Sequence, residues 1–279
     1  MTACATQGGI DDSNRIEPTL RFEPPSGEFA GLQMGRMEQW SGALAPGGEV
    51  EIVNPYGDVY IRRGGENVGL SGVIQRLGSP AAIETIDLRA SPERVRLEVG
   101  YPRGAGVAQG FDRLGRVDLA VLVPEGATLR VRTRDGSITG KRVRANIVAE
   151  SVSGRIDLST AGWVDTRNET GDTQLVLIGH RWARAHRARS TTGSIAFEFP
   201  TKAAMALDAR TAGEVTAAPD ALAGYLQESA GRTSGRWGDP PDANRIEAIS
   251  ERGDISFTLY GWMRESAALP PDASRSGND

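Results

Sequence analysis

Between Thr133 and Leu259 one short phrase keeps returning: a small polar residue, two residues, Gly, one residue, then Ile or Val. It reads Thr133-Arg134-Asp135-Gly136-Ser137-Ile138, Ser151-Val152-Ser153-Gly154-Arg155-Ile156, Ser190-Thr191-Thr192-Gly193-Ser194-Ile195 and Ser250-Glu251-Arg252-Gly253-Asp254-Ile255. Thr211-Ala212-Gly213-Glu214-Val215 is a shortened copy, Asn54-Pro55-Tyr56-Gly57-Asp58-Val59 an early one, and Thr170-Gly171-Asp172-Thr173 a degraded one. The glycines at 136, 154, 171, 193 and 213 stand 18, 17, 22 and 20 residues apart, room for two or three short strands per interval. A period of this size marks a stacked architecture, because one repeat cannot bury its apolar face alone.

Each position in the phrase has an expected task. Gly supplies positive φ at a sharp bend without a Cβ penalty. The Ser, Thr or Asn three residues earlier hydrogen-bonds backbone groups at the corner. The Ile or Val points inward, and so does the residue two further on: Leu158, Phe197 or Phe257. The strands between corners alternate, as in Glu49–Val53 and Thr128–Thr133. The predicted fold is therefore all-β: a β-solenoid, or right-handed parallel β-helix-like stack of short strands, with an N-terminal antiparallel β portion. A β-sandwich of short hairpins uses similar residues and is the alternative. The expected layout is a disordered tether at 1–34, an N-terminal β portion at 35–115, the repeat at 116–262 with a Gly- and Pro-rich excursion at 217–244, and a disordered tail at 263–279.

The ordered series ending in Ser250-Glu251-Arg252-Gly253-Asp254-Ile255-Ser256-Phe257, with the opening pair around Asn54–Val59, resembles the bacterial "putative adhesin" domain family of unknown function. The likeness runs from about Gly48 to Leu259. It implies a β-helix-like fold and an envelope location, and it brings no catalytic residues.

Chemistry-bearing residues are sparse. The net charge of −4 offers no general attraction to nucleic acid. No apolar run reaches the length of about 18 residues that crosses a bilayer. The single cysteine, Cys4, rules out an internal disulfide. Ala3-Cys4 before a long polar stretch is how a bacterial lipoprotein looks after its signal peptide, so Cys4 is a lipidation candidate; a lone cysteine without a role is the alternative. The two histidines, His180 and His186, lie in an Arg-rich segment at 179–189 and lack enough neighbouring ligands for a metal site. As a strand, that segment offers Arg184 and His186 outward, or else Arg187 and Arg189, to a small anion or a polysaccharide; a solvated strand face without a binding role is the alternative. Asp135, Asp172 and Asp254 beside the corner glycines suit corner hydrogen bonding better than Ca²⁺ binding. Trp237, in the excursion, either docks a partner or staples the loop to the stack.

No catalytic, cofactor-binding or metal residues are assigned. The expectation is a non-enzymatic bacterial cell-envelope protein of the periplasm or outer membrane, an adhesin or surface scaffold. Its candidate binding surface is Arg184, His186, Arg187, Arg189 and Trp237. Its expected partner is an extracellular polysaccharide or another envelope protein, with the membrane reached only through a lipid on Cys4. A polysaccharide-acting enzyme on a β-helix and an envelope stress or signalling sensor are the alternatives, and a cytoplasmic location stays open.

Overall fold

The computed structural model describes residues 32–77, 85–101 and 115–261. Cys4, the expected tail at 263–279 and residues 102–114 lie outside these residues. Strand has begun by Leu32, within the span expected as tether, and residues 1–31 lie outside the described residues.

The described chain is all-β apart from one helical turn, α1 (Asp220–Ala223). In order the strands are β1 (Leu32–Ala43), β2 (Glu49–Tyr56), β3 (Val59–Arg63), β4 (Asn67–Leu77), β5 (Thr85–Ala90), β6 (Arg94–Gly100), β7 (Gly115–Val123), β8 (Thr128–Asp135), β9 (Ile138–Val143), β10 (Asn146–Ser151) and β11 (Ile156–Thr160). There follow β12 (Val164–Asn168), β13 (Thr173–Leu177), β14 (His186–Ser190), β15 (Ile195–Pro200), β16 (Met205–Arg210), β17 (Val215–Ala218), β18 (Leu226–Ser229), β19 (Arg232–Trp237), β20 (Arg245–Ser250) and β21 (Ile255–Tyr260). They form two large mixed sheets, neither closed into a barrel. Sheet 1 runs β1-β4-β7-β3-β9-β11-β13-β15-β21-β17, and sheet 2 runs β18-β19-β16-β20-β14-β12-β10-β8-β2-β6-β5.

From β8 to β17 successive strands alternate between the sheets, with the phrase at each crossing from sheet 2 to sheet 1. Neighbours from β8 through β15 lie parallel and in register, one repeat beside the next. The residue two after each corner Gly forms a line across sheet 1, buried except at its end: Val59, Ile138, Ile156, Thr173, Ile195, Ile255 and half-exposed Val215 are successive partners. A second line holds Leu158, Leu175, Phe197 and Phe257, the two phenylalanine rings 6.3 Å apart. Val50, Leu129 and Ile147 on sheet 2 complete a single core with them.

The corner glycines are required for a reason other than the expected one. Of those named above, only Gly57 has positive φ, at 118°. The others are demanded by close stacking. A Cβ on Gly136 would lie 2.0 Å from the carbonyl oxygen of Gly57, one on Gly154 1.8 Å from that of Gly136, one on Gly171 2.2 Å from that of Gly154, and one on Gly193 2.0 Å from that of Gly171. Each corner thus rests directly on the one before.

The polar residue three before Gly serves most of the corners; Ser190 is the exception, its buried Oγ having no hydrogen-bond partner among the described residues. Ser151 Oγ accepts from Gly154 N at 3.0 Å, and Ser250 Oγ accepts from Gly253 N at 2.9 Å while donating to Gly193 O at 3.1 Å. The copy read as degraded is intact here, since Asn168 stands three before Gly171, accepts its N–H at 3.2 Å and donates to Gly154 O at 2.8 Å. The acid after Gly ties corners together. Asp58 Oδ1 accepts from Ser137 N at 2.8 Å, Asp172 Oδ1 from Ser194 N at 2.9 Å and Asp254 Oδ1 from Glu214 N at 2.9 Å.

Two features depart from a simple run of repeats. In the N-terminal part β1, β4 and β5 pair antiparallel as expected, but β2 and β3 lie parallel within the sheets, and direction switches at β6 and β7. At the other end the last repeat is out of order: β20 sits between β14 and β16, and β21 between β15 and β17. The excursion carries the chain back to this slot. β21 brings Phe257, which lies between Phe197 on one side and Ala217 on the other. β17 is four residues long with half-exposed Val215 and Ala217, and short strands suit a sheet edge.

Candidate functional site

The outer face of sheet 2 divides into two halves of different electrostatic character. Along β6, β2, β8 and β10 the outward charges are paired off. Glu51, its side chain 6% exposed, meets Arg94 at 2.5 Å and Arg96 at 2.9 Å. Glu49 holds Arg130 at 3.0 Å, and Glu150 holds Arg132 at 3.1 Å. Burial pushes the Glu51 carboxyl up, but the hydrogen bonds and charges of Arg94 and Arg96 outweigh it and leave it below the usual carboxylate range.

Along β12, β14, β20, β16 and β19 the balance tips. These strands turn outward Arg167, Arg187, Arg189, Arg245, Arg210, Arg232 and Arg236, against only Asp165, Glu247 and Asp208. Arg187 is taken by Glu247 at 2.9 Å, and Arg232 makes a two-pronged pair with Asp208 whose Nε–Oδ1 arm is 2.7 Å. Arg167, Arg189 and Arg210 have no ion-pair or hydrogen-bond partner among the described residues. They share one register row, Arg167–Arg189–Ile249–Arg210–Arg232, with Ile249 itself 37% exposed. Strand spacing sets the step along that row at about 4.8 Å. A chain of net charge −4 therefore carries one basic face.

The face ends in an open groove of about 460 Å³ made by the excursion, lined by Ala206, Asp208, Tyr225, Gln227, Arg232, Ser234, Arg236 and Arg245 among others. Ala206 is flanked in register by Arg236 on one side and Arg245 on the other. Tyr225 is 56% exposed, and its ring stands edge-on to Trp237 at 5.6 Å.

The expected surface residues fall in different places. Arg187 and Arg189 do point outward from β14. His186 does not: it is fully buried, in register with Ile246, and its Nδ1 accepts from Val164 N at 3.4 Å. The parity of β14, which starts only at His186, decides this, since the same face carries buried Ala188 and Ser190. Desolvation lowers the His186 pKa from 6.5 to about 3, so it is a neutral core residue packed edge-on against Trp182 at 4.5 Å. Arg184 precedes the strand and lies over the Trp163 ring at 4.5 Å. Trp237 is half-buried, packs on the core and donates from Nε1 to Thr201 O at 2.8 Å, the staple of the two roles considered. Cys4 lies outside the described residues.

No protein-family model matches the chain, and a comparison with curated proteins finds no match either. Among solved structures it is similar to a "putative cell adhesion protein" of Clostridium sporogenes, at 11% identity and a TM-score of 0.46, over 80% of this chain and 100% of that one. It is also similar to a "putative adhesin" of Bacteroides fragilis (8% identity, TM-score 0.28, 80% and 97%) and to a "putative lipid binding protein" of Parabacteroides distasonis (12%, 0.22, 80% and 97%).

Sequence reading missed Arg167, Arg210, Arg236, Arg245 and Tyr225. A signal for the first two exists. The residue just before each phrase always faces outward, and in order it is Val53, Arg132, Glu150, Arg167, Arg189, Arg210 and Ile249. Nothing comparable marks the groove, where the antiparallel hairpin β18–β19 from outside the repeat adds Gln227, Arg232, Ser234 and Arg236 to Ala206, Asp208 and Arg245 of β16 and β20. Among the described residues no helix is long and apolar enough to cross a membrane, and no cluster of three or more His, Cys, Asp or Glu could hold a metal.

Proposed function

We propose that this chain is a non-enzymatic binding module of the bacterial envelope, a two-sheet β-solenoid that holds an extended anionic polymer along the basic outer face of sheet 2. One observation carries the reading: Arg167, Arg189 and Arg210 share one register row, with Ile249 between the last two, and have no carboxylate partner among the described residues. The backbone ladder sets the spacing of these side chains in advance, so little ordering of the scaffold is needed on binding. Guanidinium forks match carboxylate and phosphate oxygens in two-pronged fashion. A non-enzymatic role fits the way reactive groups are engaged. Asp58, Asp172 and Asp254 accept corner N–H groups, Asp208 and Glu247 are held by arginines, and His186 is sealed in the core. Attachment to a membrane through a lipid on Cys4 belongs to the same proposal, and labelled palmitate incorporated by a bacterial host and lost in Cys4→Ala tests it.

The binding test uses the full chain over immobilised alginate, a polymer of carboxylated sugars. Wild type is expected to be retained and to be released by salt, as exposed charge contacts are screened. The triple variant Arg167→Glu, Arg189→Glu, Arg210→Glu should lose retention, while Lys141→Glu on exposed β9 of sheet 1 should keep it. Equal retention of the triple variant overturns the proposal.

A further inference from the structure

The hairpin β18–β19 covers what would otherwise be the free edge of β16, and covering an edge is reason enough for a hairpin. Covering an edge does not require the outward side chains found here. The row Arg236–Ala206–Arg245 places two arginines, neither with a partner among the described residues, on either side of the smallest side chain in the groove. Two strand spacings separate their backbones, about 10 Å. The floor between them is open because Ala206 stops at Cβ. Beside it Tyr225 presents an exposed ring, and the edge-on contact with stapled Trp237 sets that ring before any ligand arrives. Across the floor stands Asp208, its carboxylate oriented by the two arms of Arg232, with lone pairs left over to accept further hydrogen bonds.

We infer that this groove is a subsite for a single carboxylate-bearing pyranose, a uronic acid unit of the polymer that the arginine row holds. The inference rests on the reading of the basic face given above. Each element matches one part of such a sugar. The carboxylate lies between Arg236 and Arg245, where guanidinium groups offer paired donors. The apolar face of the ring packs on Tyr225. Ring hydroxyls donate to Asp208, and Gln227 and Ser234 add neutral polar contacts. Asp208 also selects. A carboxylate inside the groove accepts from hydroxyls but repels a phosphodiester chain, which has few hydroxyls to offer it and a charge at every unit. A polar groove with one aromatic platform and a small number of convergent charges is the usual form of a specific small-ligand site.

The experiment is calorimetric titration of the full chain with trigalacturonate, with its methyl ester, and with dextran sulfate. Trigalacturonate should bind, and the methyl ester should bind at least about tenfold more weakly, since esterification removes the charge that the arginines read. Arg236→Gln, Arg245→Gln and Tyr225→Ala should each weaken trigalacturonate by about tenfold, while Tyr225→Phe keeps the ring and keeps affinity. Equal binding of the ester, or dextran sulfate competing as well as trigalacturonate, overturns the sugar assignment. If these variants are silent while the Arg167, Arg189, Arg210 triple variant still abolishes alginate retention, the groove inference fails and the basic face stands. If both sets are silent, both fail.

Discussion

Replacing Gly154 by Ala tests the stacking of corners more sharply than any core truncation. The added Cβ would lie 1.8 Å from the Gly136 carbonyl oxygen and 2.3 Å from its carbon. Ordinary contact with a carbonyl oxygen begins at about 3.2 Å, so the two corners must separate by about 1.4 Å. The obstacle is backbone, which cannot rotate aside as a side chain would. Separation on that scale takes with it the bonds that join these turns, Ser153 N to Arg134 O at 3.0 Å and Ile138 N to Arg155 O at 2.8 Å. Two backbone hydrogen bonds at roughly 1 kcal/mol each, added to roughly 1–3 kcal/mol for overpacking, give an expected loss of about 3–5 kcal/mol. Gly126→Ala is the control. Gly126 has φ of +80°, and the space its Cβ would enter holds no atom within 4 Å, so the substitution incurs only the left-handed backbone penalty, about 1–2 kcal/mol. Urea unfolding followed by far-ultraviolet circular dichroism measures both, compared by midpoint and slope. If Gly154→Ala costs no more than Gly126→Ala, the corners do not rest on one another and the explanation of the phrase is wrong.

Three further outcomes are expected. Thr173 occupies an isoleucine position in the buried line of sheet 1, and its Oγ1 has no partner among the described residues, so Thr173→Val should stabilise the chain by about 1 kcal/mol in the same assay, and any loss would mean the hydroxyl is satisfied. His186 stays neutral in the fold down to about pH 3, whereas the unfolded chain gains its proton near pH 6.5; stability from this group is complete above 6.5 and falls by about 1.4 kcal/mol per pH unit as pH drops below it. Between pH 7 and 5 His186→Gln should therefore lose about 2 kcal/mol less than wild type, and equal losses would contradict the buried neutral state. Trp237→Phe keeps the ring but removes the bond to Thr201 O; a cost of about 1 kcal/mol with alginate retention intact is expected, and lost retention would make Trp237 a binding residue rather than a staple.

Much of this architecture is written locally in the sequence. Alternation in Thr128–Thr133, the inward residue two after each corner Gly and the polar residue before most corners act locally, Ser190 excepted, and these do in the structure what their chemistry requires. His186 stayed open because alternation groups it with Ala188 but does not say which face is inward. Counting from 181 leaves two faces open, while the start of β14 at His186 and its line with Ile246 close the choice. The glycines were recognised for the wrong reason. A bend with positive φ and a close backbone approach both exclude a side chain, and only neighbouring corners in space tell them apart.

The sequence by itself determined the strands, the corners and the inward line, because these depend on side-chain period and on hydrogen bonds spanning three residues. Tertiary structure alone decided the order of the repeats. All present the same apolar line and the same ladder, so nothing in β15 names its neighbour. β21 takes the place beside it because Phe257 stacks on Phe197 on one side and lies against Ala217 on the other, leaving short β17 at the edge. That same insertion brings Ile249 and Arg245 of β20 between Arg189 and the arginines of β16 and β19. Which charges are paired and which are free depends on lateral register between residues as much as 81 positions apart, as for Glu49 and Arg130, and no local pattern encodes it.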